Sequence, residues 1–203
     1  MNSDEFKKAV KDGRIRDRGY FYNRSEEEKT NIAKDMYDLT IFLKNKFDLA
    51  IYLIYGTLLG AIREKDFIPH DFDVDLAYLS KKTTKSEVLK ELNWLCEEFK
   101  KEGILKQEYS NQRGWLKIYS PNKKHYVDLW TSFIINNRFY LIPVFNGEIK
   151  AQIICPFKTI NFKGENFLIP NNAEKFLDIH YQDWQVPIFN FPGSKMCKRR
   201  DIL

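Results

Sequence analysis

Cysteine is scarce in this chain of 203 residues: there are three, Cys96, Cys155 and Cys197. They are far apart and odd in number, with no C-x-x-C pair for zinc, which argues against a secreted disulfide framework. They read as small buried hydrophobes or idle thiols in a reducing compartment. Long apolar runs are also missing; a stretch such as Leu49 to Tyr55 is far too short to cross a bilayer. The segment Met1 to Lys11 is polar and charged and shows no signal-peptide pattern. The expected location is therefore the cytoplasm, with at most peripheral contact at the inner membrane surface. Internal repeats and low-complexity tracts are absent. So is the dense basic block of a dedicated nucleic-acid binder: 33 Lys and Arg against 28 Asp and Glu leave +5. That excess suits a site receiving a phosphorylated substrate, or simple solubility.

What is present suffices for one sizeable core, at 43% hydrophobic and 15% aromatic residues. Residues 1–24 lack clear apolar periodicity and read as a loose arm. Residues 25–190 read as a single domain, and 191–203, with Lys195 to Arg200, as a basic tail. Ser25 followed by Glu28 is a capping box. Ile32, Met36, Leu39 and Leu43 carry the resulting helix to about Phe47. Ala50 to Tyr55 predicts a buried strand. Gly56 breaks it, and Thr57 caps a short helix reaching Arg63. After a turn at Pro69, Asp73 to Leu79 predicts a strand. Val88, Leu89, Leu92, Leu95, Cys96 and Phe99 mark a second long helix, closed by Gly103. Strands follow over Ile104–Tyr109, Gly114–Tyr119 and Tyr126–Phe133, with more between Phe139 and Leu168. A last helix starts near Asn172. This order indicates an α+β or mixed α/β domain.

The chemistry concentrates between Tyr55 and Leu76. Asp71, Asp73 and Asp75 alternate, so on a strand all three project from one face while Val74, Leu76 and Tyr78 enter the core. Like charges stacked this way repel, and a hard divalent cation, Mg²⁺ or Mn²⁺, removes the cost. A solvated acidic edge is the plainer alternative. Gly56 and Thr57, at a strand-to-helix junction, suit a phosphate because the first N–H groups of a helix lack partners and its dipole is positive there. An ordinary turn and cap explains them equally. Taken together, a phosphate cradle facing a metal clamp matches the needs of phosphoryl transfer.

Asp128, in His125-Tyr126-Val127-Asp128-Leu129-Trp130, is the candidate third carboxylate. Ser120 to His125 reads as a hairpin loop. Closure with Tyr119 opposite Tyr126 sets Lys117 opposite Asp128 and Trp115 opposite Trp130; a slip of one residue breaks this pairing but leaves Asp128 on the Tyr126 face. Trp115 and Tyr119 are then candidates for stacking a base. Lys117 serves either the donor phosphates or a plain cross-strand ion pair. His70 and His125 flank the acidic segments and are candidates for acid–base work, or structural residues.

The run Gly56-Thr57-Leu58-Leu59-Gly60-Ala61-Ile62-Arg63, then Phe67-Ile68-Pro69, then Asp71-x-Asp73-x-Asp75 resembles the LicD and fukutin-related family of the nucleotidyltransferase-fold superfamily. Tyr126-Val127-Asp128-Leu129 is similar to the family's later Val-Asp-hydrophobic strand. Ile169-Pro170, Ala173 to Leu177 and Tyr181 to Pro187 resemble its closing motif. The chain departs from the pattern at His70, where family members usually carry Trp, at Phe72, which interrupts the acidic run, and at Gln182, which replaces a Gly.

The resemblance implies an α+β, polymerase-beta-like fold, a mixed sheet flanked by helices with additional antiparallel strands. It also implies transfer of phosphocholine, glycerol phosphate, ribitol phosphate or a similar group from a CDP-linked donor to a hydroxyl of a glycan or lipid-linked glycan. By position, Asp73 and Asp75 would hold Mg²⁺ or Mn²⁺ with Asp71 beside them. Asp128 would be a third ligand or the base, Gly56 and Thr57 would hold donor phosphate, and Arg63 or Lys117 would neutralise it. Arg63 also fits as a helix-end cation. Two rival readings use the same residues: transfer of a nucleotide itself to a small molecule, protein or RNA, and a non-catalytic nucleotide- or glycan-binding module. A third, an RNA-binding protein, rests on +5 and interleaved aromatics. No specific nucleic-acid partner is expected, and the oligomeric state is open.

Overall fold

Helix α2 (Glu26–Phe47) begins as its sequence demands. The Ser25 hydroxyl accepts the Glu28 N–H at 3.2 Å, and the Glu28 carboxylate accepts the Ser25 N–H at 2.7 Å. Its Ile32, Met36, Leu39 and Leu43 are buried, one stripe turned to the core. Asp48, in the left-handed region at φ 54, ends it. The computed structural model to which this helix belongs describes residues 3–14, 16, 18–108, 114–181 and 183–186. The expectations for Tyr109, Gln182, Pro187, Cys197 and the basic tail fall outside them.

Among the described residues the architecture is α+β. The remaining helices are α1 (Ser3–Lys11), α3 (Tyr55–Leu59), α4 (Lys85–Lys101) and α5 (Ala173–His180). The strands are β1 (Ala50–Leu53), β2 (Asp75–Ser80), β3 (Leu105–Glu108), β4 (Trp115–Tyr119), β5 (Tyr126–Ile135), β6 (Arg138–Leu141), β7 (Phe145–Lys150), β8 (Lys158–Phe162) and β9 (Glu165–Ile169). They form one mixed sheet in the order β3-β4-β5-β2-β1-β9-β8. The far half of β5 extends past β4 to pair with β6, which pairs with β7. Strand β2 lies antiparallel to β1 but parallel to β5. Its Leu76, Ala77 and Tyr78 have no exposed surface. A central strand covered on both faces has to be apolar on both, which explains why this short run lacks strict alternation.

The amino-terminal region differs from the loose arm expected over residues 1–24. Residues Ser3–Lys11 are helical, and Phe21–Asn23 form a single 3-10 turn. Phe6, Ala9 and Tyr20 make a second small core, against which Phe72 packs. Phe6 meets Tyr20 edge-on with ring centres 5.0 Å apart. The Phe21 and Tyr22 N–H groups donate to the carbonyls of Asp71 (2.8 Å) and Pro69 (2.9 Å). The helical stripe of Phe6, Ala9 and Val10 spans barely one turn among charged residues, too little to stand out as a period. Its partner is the loop bearing the acidic residues, which comes near only in the folded chain.

Phe6→Ala empties most of that second core and is expected to cost about 3 kcal/mol, read as a lower urea midpoint. An unchanged midpoint would mean that the amino-terminal helix adds nothing to stability.

Candidate active site

The turn from β1 into α3 is tight. Tyr55 occupies the left-handed region at φ 48, an unfavourable place for a bulky side chain, and costs about 1 kcal/mol or more. The helix begins there, with Ile54 as its cap, so Gly56 and Thr57 lie within the first turn. Thr57 is therefore not the cap expected from the sequence. Its hydroxyl is taken by the acidic strand, accepting the Asp75 N–H at 2.9 Å. The Gly56 N–H donates to the Asp75 carboxylate. A Cβ on Gly56 would stand 2.3 Å from Asp71 Oδ2, so only glycine lets the helix backbone approach this closely. Gly56 thus holds the Asp75 carboxylate and Thr57 the main chain of the same residue. After α3 the chain makes one π turn, Gly60–Glu64.

The three alternate aspartates do not share a strand. Only Asp75 lies in β2; Asp71 and Asp73 precede it in the loop. Local hydrogen bonds bend that loop: the Asp71 N–H donates to the Ile68 carbonyl at 2.9 Å, and Asp71 Oδ1 accepts the Phe72 N–H at 2.9 Å. Such side-chain bonds compete with strand pairing. The carboxylates converge nonetheless. The parallel register of β2 and β5 sets Asp75 directly against Asp128. The carboxyl groups of Asp71 and Asp73 share a hydrogen bond. Burial, then the charge of Asp73, pushes Asp71 well above the usual carboxylate range. The same two causes raise Asp75, against the opposing pull of Trp130 and Gly56. Trp130 Nε1 donates to Asp75 Oδ1 at 2.9 Å. Burial likewise pushes Asp128 up to about 6, although Lys117 opposes it.

The hairpin closes in the expected register, with Tyr119 opposite Tyr126, Lys117 opposite Asp128 and Trp115 opposite Trp130. Lys117 Nζ lies 3.0 Å from Asp128 Oδ1. The Trp115 and Trp130 rings stack 5.2 Å apart, and Tyr55 meets Trp130 edge-on at 4.9 Å. Sequence reasoning missed Lys106. A bulge in β3 lets the register slip between Leu105 and Gln107, leaving Lys106 as the extra residue. Its ammonium lies 3.1 Å from the Tyr126 ring centre, and that of Lys117 4.9 Å from the same ring. On the Asp73 side a cleft of ≈ 320 Å³ opens, lined by Arg24, Phe72, Asp73, Lys124, His125 and Tyr126 among others.

Three sequence candidates are engaged elsewhere. Arg63 pairs with Glu64 at 2.7 Å and donates to the Trp184 carbonyl at 2.7 Å. It braces the segment after α5. His70 is buried edge-on to Phe6, and burial followed by the Arg63 charge lowers it to about 4, so it is neutral at pH 7. His125 lies at the cleft, but its Nδ1 sits 2.6 Å from Asp35 on α2, whose other oxygen accepts from Asn122 at 2.6 Å. Nothing in the hairpin sequence points to Asp35, which is far away along the chain.

Asp128, which is buried, and Asp71, Asp73 and Asp75, which are half-buried, form a donor set of hard oxygens, the chemistry that Mg²⁺ or Mn²⁺ prefers. Among the described residues no three His, Cys, Asp or Glu groups already stand in a ligating arrangement. The charge of Asp73 raises the proton affinity of Asp71, Asp75 and Asp128, so the set fits a divalent cation by its chemistry. Acidic groups stand here beside lysines and aromatic rings. Residues 48–172 match the LicD/FKTN/FKRP family, nucleotidyltransferase domain, and the chain belongs to that family. Two curated relatives are each named ribitol 5-phosphate transferase FKRP. The Mus musculus protein is 28% identical over 132 residues, covering 62% of this chain and 26% of its own length. The Homo sapiens protein is 26% identical over 132 residues, with the same coverage. This chain thus matches about a quarter of each relative. No described helix is long and apolar enough to cross a membrane.

Two outcomes are expected. In Gly56→Ala the new methyl displaces the Asp71 carboxylate, a movable side-chain end, so activity falls at least tenfold while the melting temperature changes little. A fully active variant would show that the close approach is not needed. Asp128 has a folded pKa of about 6 against an ordinary 3.8. The stability it contributes is present in acid and lost as pH rises through 6. His70, lowered from 6.5 to about 4, acts oppositely, losing its contribution as pH falls. Comparing Asp128→Asn with the parent isolates the first effect. Without divalent ions, the variant should gain about 1 kcal/mol relative to the parent between pH 5 and 7.5, measured by chemical denaturation.

Proposed function

We propose that this chain is a Mg²⁺- or Mn²⁺-dependent phosphotransferase with a nucleotidyltransferase-like fold. It moves a phosphorylated small group from a CDP-linked donor to a hydroxyl of a glycan or lipid-linked glycan. Ribitol phosphate is the group named in its two relatives; phosphocholine and glycerol phosphate share its chemistry. The observation carrying this reading is the register pairing of Asp75 with Asp128, which brings carboxylates from two strands together beside those of the preceding loop.

Asp73, Asp75 and Asp128, with Asp71 beside them, would hold the cation. When bound, it supplies positive charge to the reacting phosphoryl group. Trp130 aims the Asp75 carboxylate through its indole N–H. Gly56 and Thr57 fix the carboxylate and the backbone of the same residue. Lys117 offers its charge to donor phosphate from beside Asp128. Trp115, already stacked on Trp130, and Tyr119 offer flat faces for the base. The acceptor sugar enters the cleft at Asp73, where Phe72 and Tyr126 supply apolar surface and Lys124 a hydrogen-bond donor. Arg63 takes no part, since Glu64 and the Trp184 carbonyl engage it.

Asp73→Asn and Asp75→Asn are each expected to lower turnover at least a thousandfold and to abolish Mg²⁺-dependent thermal stabilisation by CDP, with folding intact by circular dichroism. Release of cytidine monophosphate during transfer supports the reading. Release of pyrophosphate would replace it with nucleotide transfer. Full activity in both variants would remove the carboxylate clamp.

A further inference from the structure

Lys106 occupies an unusual position. A lysine at a bulge on a short strand is ordinarily free to point into water, yet its ammonium lies 3.1 Å from the centre of the Tyr126 ring and 5.4 Å from that of Tyr119. Lys117 shares the Tyr126 ring at 4.9 Å and also reaches Trp115 at 5.7 Å. Two like charges are thus gathered over one aromatic side chain. Desolvation, followed by the charge of Lys117, lowers the pKa of Lys106. Asp128 attracts both ammonium groups but bonds directly only to Lys117. One carboxylate cannot balance two cations while also facing Asp75 and Asp73. A positive surplus therefore stands on one flank of the site and a negative surplus on the other.

Such a polarised arrangement is complementary to a ligand that is itself anionic and binds a cation. A diphosphate meets both demands: its oxygens ligate a divalent ion held by the carboxylates, and its remaining charge faces ammonium groups. The bulge makes this possible. In an unbroken antiparallel register Lys106 would fall opposite Lys117; with one extra residue, both Lys106 and Gln107 fall beside it, and Lys106 is carried over Tyr126.

We propose that Lys106 and Lys117, assembled over Tyr126 by the bulge in β3, form the subsite that receives the diphosphate of the donor, with Lys106 as a binding residue for it. This rests on the reading of the chain as a transferase using a diphosphate-linked donor, and it adds the residue and the device that hold the diphosphate.

The test is calorimetric titration of the full chain with Mg²⁺ and either CDP or inorganic pyrophosphate, comparing the parent, Lys106→Ala, Lys106→Arg and Lys90→Ala. Lys106 is exposed, so its replacement leaves the fold intact, as melting curves will verify. Losing one charge-assisted contact is expected to weaken both probes about ten- to a hundredfold in Lys106→Ala. Lys106→Arg should retain most of the affinity, and Lys90→Ala, on α4, all of it. Rising salt should narrow the gap between parent and Lys106→Ala. Binding of pyrophosphate but not CDP, still dependent on Lys106, would uphold the subsite while removing the cytidine donor. Equal affinity of parent and Lys106→Ala for both probes would overturn the subsite, leaving the carboxylate clamp to be judged by its own variants.

Discussion

Two aspartates on neighbouring parallel strands, set side by side by main-chain hydrogen bonds, govern the rest of this molecule. Backbone pairing of β2 with β5 leaves Asp75 and Asp128 no freedom to separate. The parallel arrangement requires a long crossover, supplied by α4 and the β3–β4 hairpin. The core beneath is dense, with Leu76, Tyr78 and Leu129 fully buried, so the strands cannot slide apart to relieve repulsion between the carboxylates. The neighbourhood instead answers it locally. An indole N–H, a helix N–H and an ammonium are each directed at one of the acids, and Asp71 with Asp73 share a hydrogen bond. Burial disfavours the charged forms of Asp71, Asp75 and Asp128, so these acids are held there against their own solvation.

The surroundings follow from that tension. Tyr55 accepts an unfavourable backbone conformation, which starts α3 at the end of β1 and brings the Gly56 main chain against Asp71 and Asp75. Phe72, which breaks the acidic run of the family, is not idle. Its ring joins the small core of Phe6, Ala9 and Tyr20 and fastens the loop to the amino-terminal helix. Main-chain bonds from Phe21 and Tyr22 secure the same loop. The amino-terminal segment thus belongs to the support of the site, although the family match starts only at residue 48.

Much of this was legible in the linear chain. The capping box at Ser25 and the stripe through α2 follow from short-range rules, and closing the Ser120 to His125 loop with Tyr119 opposite Tyr126 gives the β4–β5 register that the structure has. Asp128 stood out as the carboxylate on a neighbouring strand that would complete a metal clamp. The placement of Asp71 and Asp73 was not legible. Alternation alone put them on a strand, while side-chain bonds to their own loop and contacts from residues 21 and 22 bend the chain away from it. Thr57 read as a cap because threonine favours the start of a helix, but its hydroxyl goes to the main chain of the next strand. His125 gave no sign of its tie to Asp35, which sits on the inner face of a helix that otherwise reads as ordinary.

Local periodicity and residue chemistry by themselves determined which segments become helix or strand, which family the chain resembles, and that its acids and one lysine gather near a hairpin. Tertiary structure alone decided which groups face each other. It carried Lys106 over Tyr126 through a bulge, withdrew Arg63 to Glu64 and a distant carbonyl, and buried His70 beneath Phe6. The physical reason is one of range. A residue's conformational preference depends on a few neighbours along the chain, whereas the direction and charge state of its side chain depend on water exclusion and on partners that approach only after the whole chain has packed.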